Sequence, residues 1–515
     1  MMALLLSGAL LLRLPHLTES LWYDEIWYTS IFLRSSRLKD VLFQDVHPPL
    51  YAILMWIWTG LFGDSELAVR LPSLIFGLAS IPLVFVLARR WFGRKTAWLA
   101  SGLLAASPVH IWYSHETKNN MLLLLLTLAT VYFLQKAWRE NRPRHWILFA
   151  GSALAALWTN VFAVWVVCAL FFWLLLQLFR KDGYRRMRAV ILSGVAVSLG
   201  WLPFVWLSLT HMDELKRVYL RPFTPAQMYS LFLIYLSHGN TLRTISPYEP
   251  LRTIFSQPKA LFLLEAFFLL LMGAGIRCWT QGWKAGTRPP GGKDLDSPAK
   301  GQMMLSYLLL PPILVMAASL AYRNLYIERS MIFLLPPFVI LVSCGVMIWR
   351  SPLLRRALLS ILLLLNGWAL VNLYTVKADT WTVYKPNPDW RSAAAWLARE
   401  VRSNRNIFIL HTAPGEALDY SYKRVRESLP GNEALLLPKV LPHGRMGEYD
   451  EERFLAFLRE YRLERIYLIH ERTWSLNFQS LLKSLEGCPR LAPSGEAGFK
   501  DLDIYRFQVQ PDPNP

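Results

Sequence analysis

The stretch LWYDEIWY places two adjacent carboxylates, Asp24 and Glu25, among Trp22, Tyr23, Trp27 and Tyr28, and HPPLY follows with His47, Pro48, Pro49 and Tyr51. Carboxylates set among aromatic rings beside a long apolar run are costly as ions unless they are paired or solvated. One of them could act as a general base and remove the proton of an attacking hydroxyl. The pair could equally be a solvated acidic step at a helix end. His47 could bind a phosphate, ligate a metal or cap the helix that Pro49 opens. A metal centre needs several ligands brought together. His47, His115 and Glu116 stand at no recognised ligand spacing, so a divalent metal is not expected.

Two further stretches carry charge where charge is expensive. WYSHETKNN holds Glu116 and Lys118 at the start of an apolar run. Two residues apart, they do not share a helical face and are not expected to pair. Lys118 could hold a phosphate or snorkel to a membrane interface; Glu116 could position a sugar or an acceptor. YRNLYIERS presents Arg323, Glu328 and Arg329 ahead of another apolar run. Arg329 could reach a phosphate group or serve as an interface anchor.

The elements that must position these residues are membrane helices. Of the 515 residues, 54% are hydrophobic, and long apolar runs recur from Met1 to about Tyr374, with charge clustered between them. A bilayer demands this pattern. The net charge of +19 does not point to nucleic acid, because Lys and Arg lie mainly in short loops between apolar runs, as topology signals do. Spans are expected near 1–17, 67–88, 96–110, 117–136, 146–158, 160–179, 189–209, 259–277, 303–321, 329–349 and 357–375, about eleven in all. Basic residues such as Arg89, Arg90, Arg94 and Lys95, or Arg180, Lys181, Arg185, Arg186 and Arg188, fill alternate loops. The positive-inside rule then puts the N-terminus in the cytoplasm and the C-terminal part outside a plasma (inner) membrane. The opening stretch lacks a basic n-region and a small-residue cleavage site, so it is expected to stay as the first helix. Of the four cysteines, Cys168 and Cys344 fall in apolar runs and Cys278 in an expected cytoplasmic loop. Only Cys488 would face outside, which rules out an extracytoplasmic disulfide within one chain.

Two outside loops are long, near 18–66 and 210–258. In the first, PLYAILMWIWTGL at 49–61 is apolar but too short to span, and reads as an interface helix; 26–43 is expected to form another. The domain division is 1–375, a transmembrane module with interface helices in loop 18–66, and 376–515, a small extracytoplasmic α/β domain. Within the latter, 389–401 is a helix by spacing, with Trp390, Ala394, Leu397 and Val401 on one face. NIFIL at 406–410, RIYLI at 465–469 and IYRFQV at 504–509 read as strands, and EERFLAFLREY at 451–461 as a helix.

DE after the first span, HPPLY, RLPS at 70–73, YSHE at 113–116, ERSMIFLLPP at 328–337 and PDWRSAAAWL at 388–397 occur in one order along nearly the whole chain. That ordered set resembles the bacterial membrane glycosyltransferases of the protein-O-mannosyltransferase type, family 39 and its relatives. The resemblance implies a polytopic α-helical fold of the GT-C kind and a polyprenyl-phosphate sugar as donor. It implies transfer at the extracytoplasmic face to an envelope glycan, lipid or protein acceptor. By position it makes Asp24 the general base and Glu25 its support. His47 and Tyr51 would shape the pocket, Glu116 would be the acid after Tyr-Ser-x, and Arg329 the cation opening the late span. Lys118 and Arg329 would stabilise the charge of the departing phosphate. No nucleotide-binding motif is present, and none is required by a lipid-phosphate donor. No cofactor is expected. The chain departs from the family pattern in having Lys118 for an arginine, Asn120 for a tyrosine, and Asn160-Val161 for a His-Tyr pair. Two other readings stand beside this one. A lipid-linked sugar transporter or flippase would be expected to show repeated halves, and no repeat is seen. A non-catalytic envelope assembly protein leaves the acidic pair and HPPLY unexplained.

Overall fold

The computed structural model describes residues 1–22, 24–26, 28–29, 48–180, 183–210, 224–239, 241, 259–281, 297–322, 324–375, 387–401, 407–411, 418, 420–421, 464–472, 482–483 and 485–510. His47, Arg323, most of the helix expected at 26–43 and all of the one expected at 451–461 lie outside the described residues.

The chain forms two compact units. The first comprises Met1–Leu17 and Ser35–Tyr384, the second Thr18–Arg34 and Lys385–Pro515.

The first unit is helical. Its main helices are α1 (Met2–Leu11), α2 (Leu50–Phe62), α3 (Glu66–Phe92), α4 (Arg94–Ala106), α5 (Pro108–Ser114), α6 (Asn120–Glu140) and α7 (Pro143–Leu157). They are followed by α8 (Ala163–Leu178), α9 (Met187–Thr210), α10 (Lys259–Gln281), α11 (Ser297–Ala321), α12 (Leu335–Met347) and α13 (Pro352–Thr375). Each of the eleven stretches read as spans contains a helix. Among the described residues, seven helical stretches are long and apolar enough to cross a bilayer, and α1, α2 and α8 are shorter apolar helices. The chain is a multi-span membrane protein.

Local chemistry sets the helix ends. Ser65 caps α3 by accepting from Ala68 N at 3.2 Å, and Gly93, at φ 86°, ends it with Arg89 and Arg90 in the last turn, where cations suit the helix dipole. Pro108 corrects the span expected at 96–110. It holds Ser107 in an extended conformation and starts a new helix at its first position, so the run divides into α4 and α5. Likewise α6 begins at Asn120 rather than 117, after a turn, and ends at Asn141 in the left-handed region, φ 46°. The late span opens as a 3₁₀ turn, Glu328–Leu334, before α12. Cys278 lies inside α10, which runs to Gln281, rather than in a loop.

Buried α12 is the hub of the late helices. A Cβ built on Gly345 would sit 2.1 Å from Leu271 O, and one on Gly275 2.3 Å from Leu341 O. The α10 and α12 backbones therefore touch through glycine, as small residues allow in membrane bundles. In contrast α9 and α13 leave Leu199, Trp206, Leu364 and Trp368 exposed, an apolar surface suited to lipid.

The second unit holds α14 (Trp390–Val401) and a four-stranded sheet, β1 (Ile407–His411), β2 (Arg465–Glu471), β3 (Leu491–Phe499) and β4 (Leu502–Val509), in the order β1-β2-β4-β3. The β1–β2 pair is parallel and the others antiparallel. β2 is buried from Ile466 to Glu471, as a central strand should be. Trp390, Ala394 and Leu397 are buried, as the helical spacing required.

Candidate functional site

In the first unit the turn His115–Asn119 between α5 and α6 carries Glu116 and Lys118, and both side chains are buried. A backbone bond from Lys118 N to Glu116 O at 2.8 Å closes the turn. Its N-terminal side is held by Arg13, fully buried just beyond α1. Arg13 Nε donates to Ser114 Oγ at 3.1 Å, and Nη1 donates to Ala9 O and Ala105 O at 2.6 and 3.1 Å. Ser114 Oγ in turn donates to His110 O at 2.6 Å. Gly77 of α3 makes room for this arrangement, since a Cβ there would stand 2.4 Å from Ser114 Oγ.

The C-terminal side is held by Asn119 together with Asn120 and Asn160, two of the positions where the chain departs from the family pattern. Asn120 Nδ2 donates to Glu116 Oε2 at 3.3 Å. Asn119 Nδ2 donates to Thr159 O at 2.9 Å, and Asn160 Nδ2 donates to Asn119 Oδ1 at 3.3 Å. Asn160 Oδ1 is itself fixed by Phe162 N at 2.9 Å. The bond from Asn120 orients the Glu116 carboxylate, and the Asn119–Asn160 pair ties the turn to the residues after α7.

Tyr113 connects this turn to segments far along the chain. Its ring centroid lies 6.5 Å from that of Tyr235, whose OH points to Arg329 O at 3.5 Å. Burial pushes the Tyr113 phenol well above its ordinary range; Glu116 and Glu328 push the same way, while Arg329 and a hydrogen bond with Tyr235 oppose them. Tyr113 thus stays a protonated hydrogen-bond donor at neutral pH, within electrostatic reach of Glu116, Glu328 and Arg329. Ser230 Oγ donates to Glu328 Oε1 at 3.2 Å, and Tyr326 OH donates to Gln227 O at 3.3 Å. These bonds hold the 3₁₀ turn against residues 225–238, which include a π-helical turn, Leu231–Tyr235. Such turns recur at functional sites. Tyr51, also buried, lies in the first turn of α2, where Leu50 N donates to Trp158 O at 2.9 Å.

Asp24 and Glu25 belong to the second unit. Glu25 is buried, and its Oε2 accepts from Trp22 N at 3.2 Å, so it closes the helical turn on which both acids sit. Asp24 is half-buried. Of the residues singled out by sequence, Glu116 and Arg329 converge around Tyr113, and Lys118 sits in the same turn as Glu116. Tyr235, Ser230, Arg13 and His110 were not singled out. Their partners lie far off in sequence, and only the tyrosine of YSHE stood in a motif. Among the described residues no three His, Cys, Asp or Glu side chains stand together as metal ligands.

Residues 46–205 match the Dolichyl-phosphate-mannose-protein mannosyltransferase family, a stretch that contains HPPLY, RLPS and YSHE. YkcB of Bacillus subtilis (strain 168), a mannosyltransferase by name, is 28% identical over 103 residues, which span 20% of this chain and 14% of that relative. Among solved structures, ArnT from Cupriavidus metallidurans in the apo state aligns over 98% of this chain and 97% of its own, with TM-score 0.58 and 13% identity. The same protein bound to undecaprenyl phosphate gives TM-score 0.56, 14% identity and the same coverage. The Archaeoglobus fulgidus oligosaccharyltransferase tethered to an acceptor peptide gives 0.52 and 11%, over 90% of this chain and 68% of that one. The resemblance to membrane glycosyltransferases read from the motifs therefore holds, and the fold is of the GT-C kind.

Proposed function

We propose that this chain transfers a sugar from a polyprenyl-phosphate-linked donor to a hydroxyl of an envelope glycan, lipid or protein at the extracytoplasmic face. One observation carries the reading. Glu116 and Arg329, from loops that the basic-residue pattern assigns to the outside, both act electrostatically on the buried phenol of Tyr113, which stands against Tyr235, whose OH donates to Arg329 O. This supplies an acid for sugar hydroxyls, a cation for a phosphate and a fixed hydrogen-bond donor. The likeness to ArnT, whose structure carries undecaprenyl phosphate, supports a lipid-phosphate donor.

In the proposed reaction the acceptor oxygen bonds to the anomeric carbon as the bond from that carbon to the phosphate oxygen breaks. Asp24 takes the acceptor's proton, and the polyprenyl phosphate leaves. Lys118 and Arg329 offset the charge that grows on the phosphate. Glu25, engaged with Trp22 N, supports Asp24 rather than competing for the proton. Glu116 positions the sugar, while His47 and Tyr51 shape the pocket.

The test is Asp24→Asn in purified full-length protein, with a panel of polyprenyl-phosphate hexoses and pentoses. Turnover should fall by about 10²–10⁴-fold, the usual worth of a general base, with donor binding near the parental value. Near-parental turnover would remove Asp24 from the role, and absence of transfer by the parent with every donor would remove the function.

A further inference from the structure

The motif PDWR at 388–391 lies outside the residues that the proposed reaction uses. In the structure it opens α14, and its neighbours bind the segment that leads to Asp24. Asp389 caps α14 by accepting from Ser392 N at 3.1 Å, and the same oxygen accepts from Ser20 Oγ at 3.4 Å. Arg391 Nη2 donates to Thr18 O at 2.9 Å, and Arg391 N donates to Ser20 Oγ at 3.4 Å. Asn387 Nδ2 donates to Glu19 Oε2 at 3.1 Å. Lys500, from the tight β3–β4 connection, places its ammonium 3.5 Å from the same Glu19 oxygen, and its carbonyl accepts from Asp389 N at 3.0 Å. Thr18, Glu19 and Ser20 are thus each tied down, and Asp24 follows four residues after Ser20. One turn on, Glu25 closes onto Trp22 N.

We infer that Asn387, Asp389, Arg391 and Lys500 are positioning residues for the proposed general base, and that the C-terminal α/β unit serves as the scaffold on which the Asp24 segment is mounted. This rests on the assignment of Asp24 above. The physical case is one of entropy. A base must be held close to its productive geometry, and a short link after a long apolar run has no such rigidity of its own. Several bonds to the first turn of a helix, backed by a sheet, supply it. No single bond is strong, and two are long, so the effect comes from the set.

Asp389 also caps α14, so its replacement would mix two effects. The test therefore uses Arg391→Ala with Asn387→Ala, and Arg391→Lys, in the full chain. The readouts are hydrogen exchange over residues 18–26, exchange over β2 and β4, and steady-state kinetics with whichever polyprenyl-phosphate sugar the parent transfers. In the double variant, exchange at 18–26 should rise at least tenfold while β2 and β4 keep their protection. The kcat should fall about 10–100-fold with donor KM within twofold of the parent. Arg391→Lys, which can still donate to Thr18 O, should recover part of both losses. Parental exchange at 18–26 in the double variant would overturn the inference, as would exchange rising equally in β2 and β4. Should the parent transfer no sugar at all, the proposed function falls, and the exchange measurements alone still decide whether PDWR holds the segment.

Discussion

Arg13 Nη2 lies 2.6 Å from His110 Nδ1, with both side chains completely buried. An arginine can only donate, so Nδ1 must accept, and the ring proton resides on Nε2. Nε2 then donates to Ser80 Oγ at 2.9 Å, and Ser80 donates to Gly77 O at 2.7 Å. The protons of this chain have one consistent direction, from α1 through α5 to α3. The same guanidinium grips Ser114, the last residue before the turn that carries Glu116.

Arg13→Lys keeps the charge but loses the fork that reaches four acceptors. Leaving buried partners unsatisfied costs about 1–3 kcal/mol. The variant should melt lower than the parent in detergent, and exchange at 115–119 should rise. A parental melting profile would show that the fork contributes nothing to holding the turn.

The Glu116–Asn120 contact permits a graded test. Glu116→Gln keeps the shape and removes the charge, and transfer should fall about 10–100-fold, in line with about 1.5–3 kcal/mol for a hydrogen bond to a charged group. Asn120→Leu leaves the charge and removes one donor, so its loss should be smaller and mostly in KM. Should Asn120→Leu prove more damaging than Glu116→Gln, the asparagine has a role beyond orienting the acid.

Helix contacts make a prediction free of function. Gly345→Ala places a methyl group against the Leu271 carbonyl, and neither backbone can yield without parting α10 from α12. Overpacking of this kind costs about 1–3 kcal/mol or more. Gly367→Ala on α13 meets nothing within 4 Å and should leave the melting temperature unchanged or slightly higher. Equal melting of the two variants would contradict the close approach.

Orientation follows from the basic loops alone. A reporter active only outside the cytoplasm, fused after Pro515, should be active. An inactive but stable fusion would reverse the topology or change the number of spans.

Much of the bundle was legible because hydrophobic runs and basic loops are strong signals, and bilayer insertion leaves little freedom in reading them. Local punctuation was read less well. Pro108 divides an apolar run that hydropathy joins. β3 went unread because LAPSGEAGF has a proline and two glycines and low strand propensity. It is an edge strand, irregular between Pro493 and Gly495, where those residues are tolerated. Among the candidate residues, the motifs singled out Glu116, Lys118 and Arg329. They could not show that Tyr235 stands against Tyr113, a contact across more than a hundred residues that only the folded chain creates. Asn120 and Asn160 were legible as departures from a pattern, but the bonds from Asn120 to Glu116 and from Asn160 to Asn119 were not.

His115 provides a pH test of the same turn. Burial holds its imidazole well below the ordinary histidine range; His16, Arg13 and Arg70 push it the same way, and only the nearby Arg13 backbone opposes them. Its ring centroid lies 5.8 Å from that of His16, which stacks on Tyr374. The folded state therefore resists a proton that the unfolded chain accepts near pH 6.5. Above that pH neither state binds the proton and the residue adds no pH dependence. Below it the unfolded state gains protons that the folded state refuses, so stability falls with falling pH until the folded value is reached. The slope for one such group approaches about 1.4 kcal/mol per pH unit. His115→Asn removes the titration while keeping a polar side chain of similar reach. Between pH 7.5 and 5.0, parental stability in detergent should decline relative to the variant by about 1–2 kcal/mol, and the two should run parallel above pH 7. Curves that stay parallel down to pH 5.0 would mean that His115 takes up its proton in the folded protein, and that the cations around it do not exclude one.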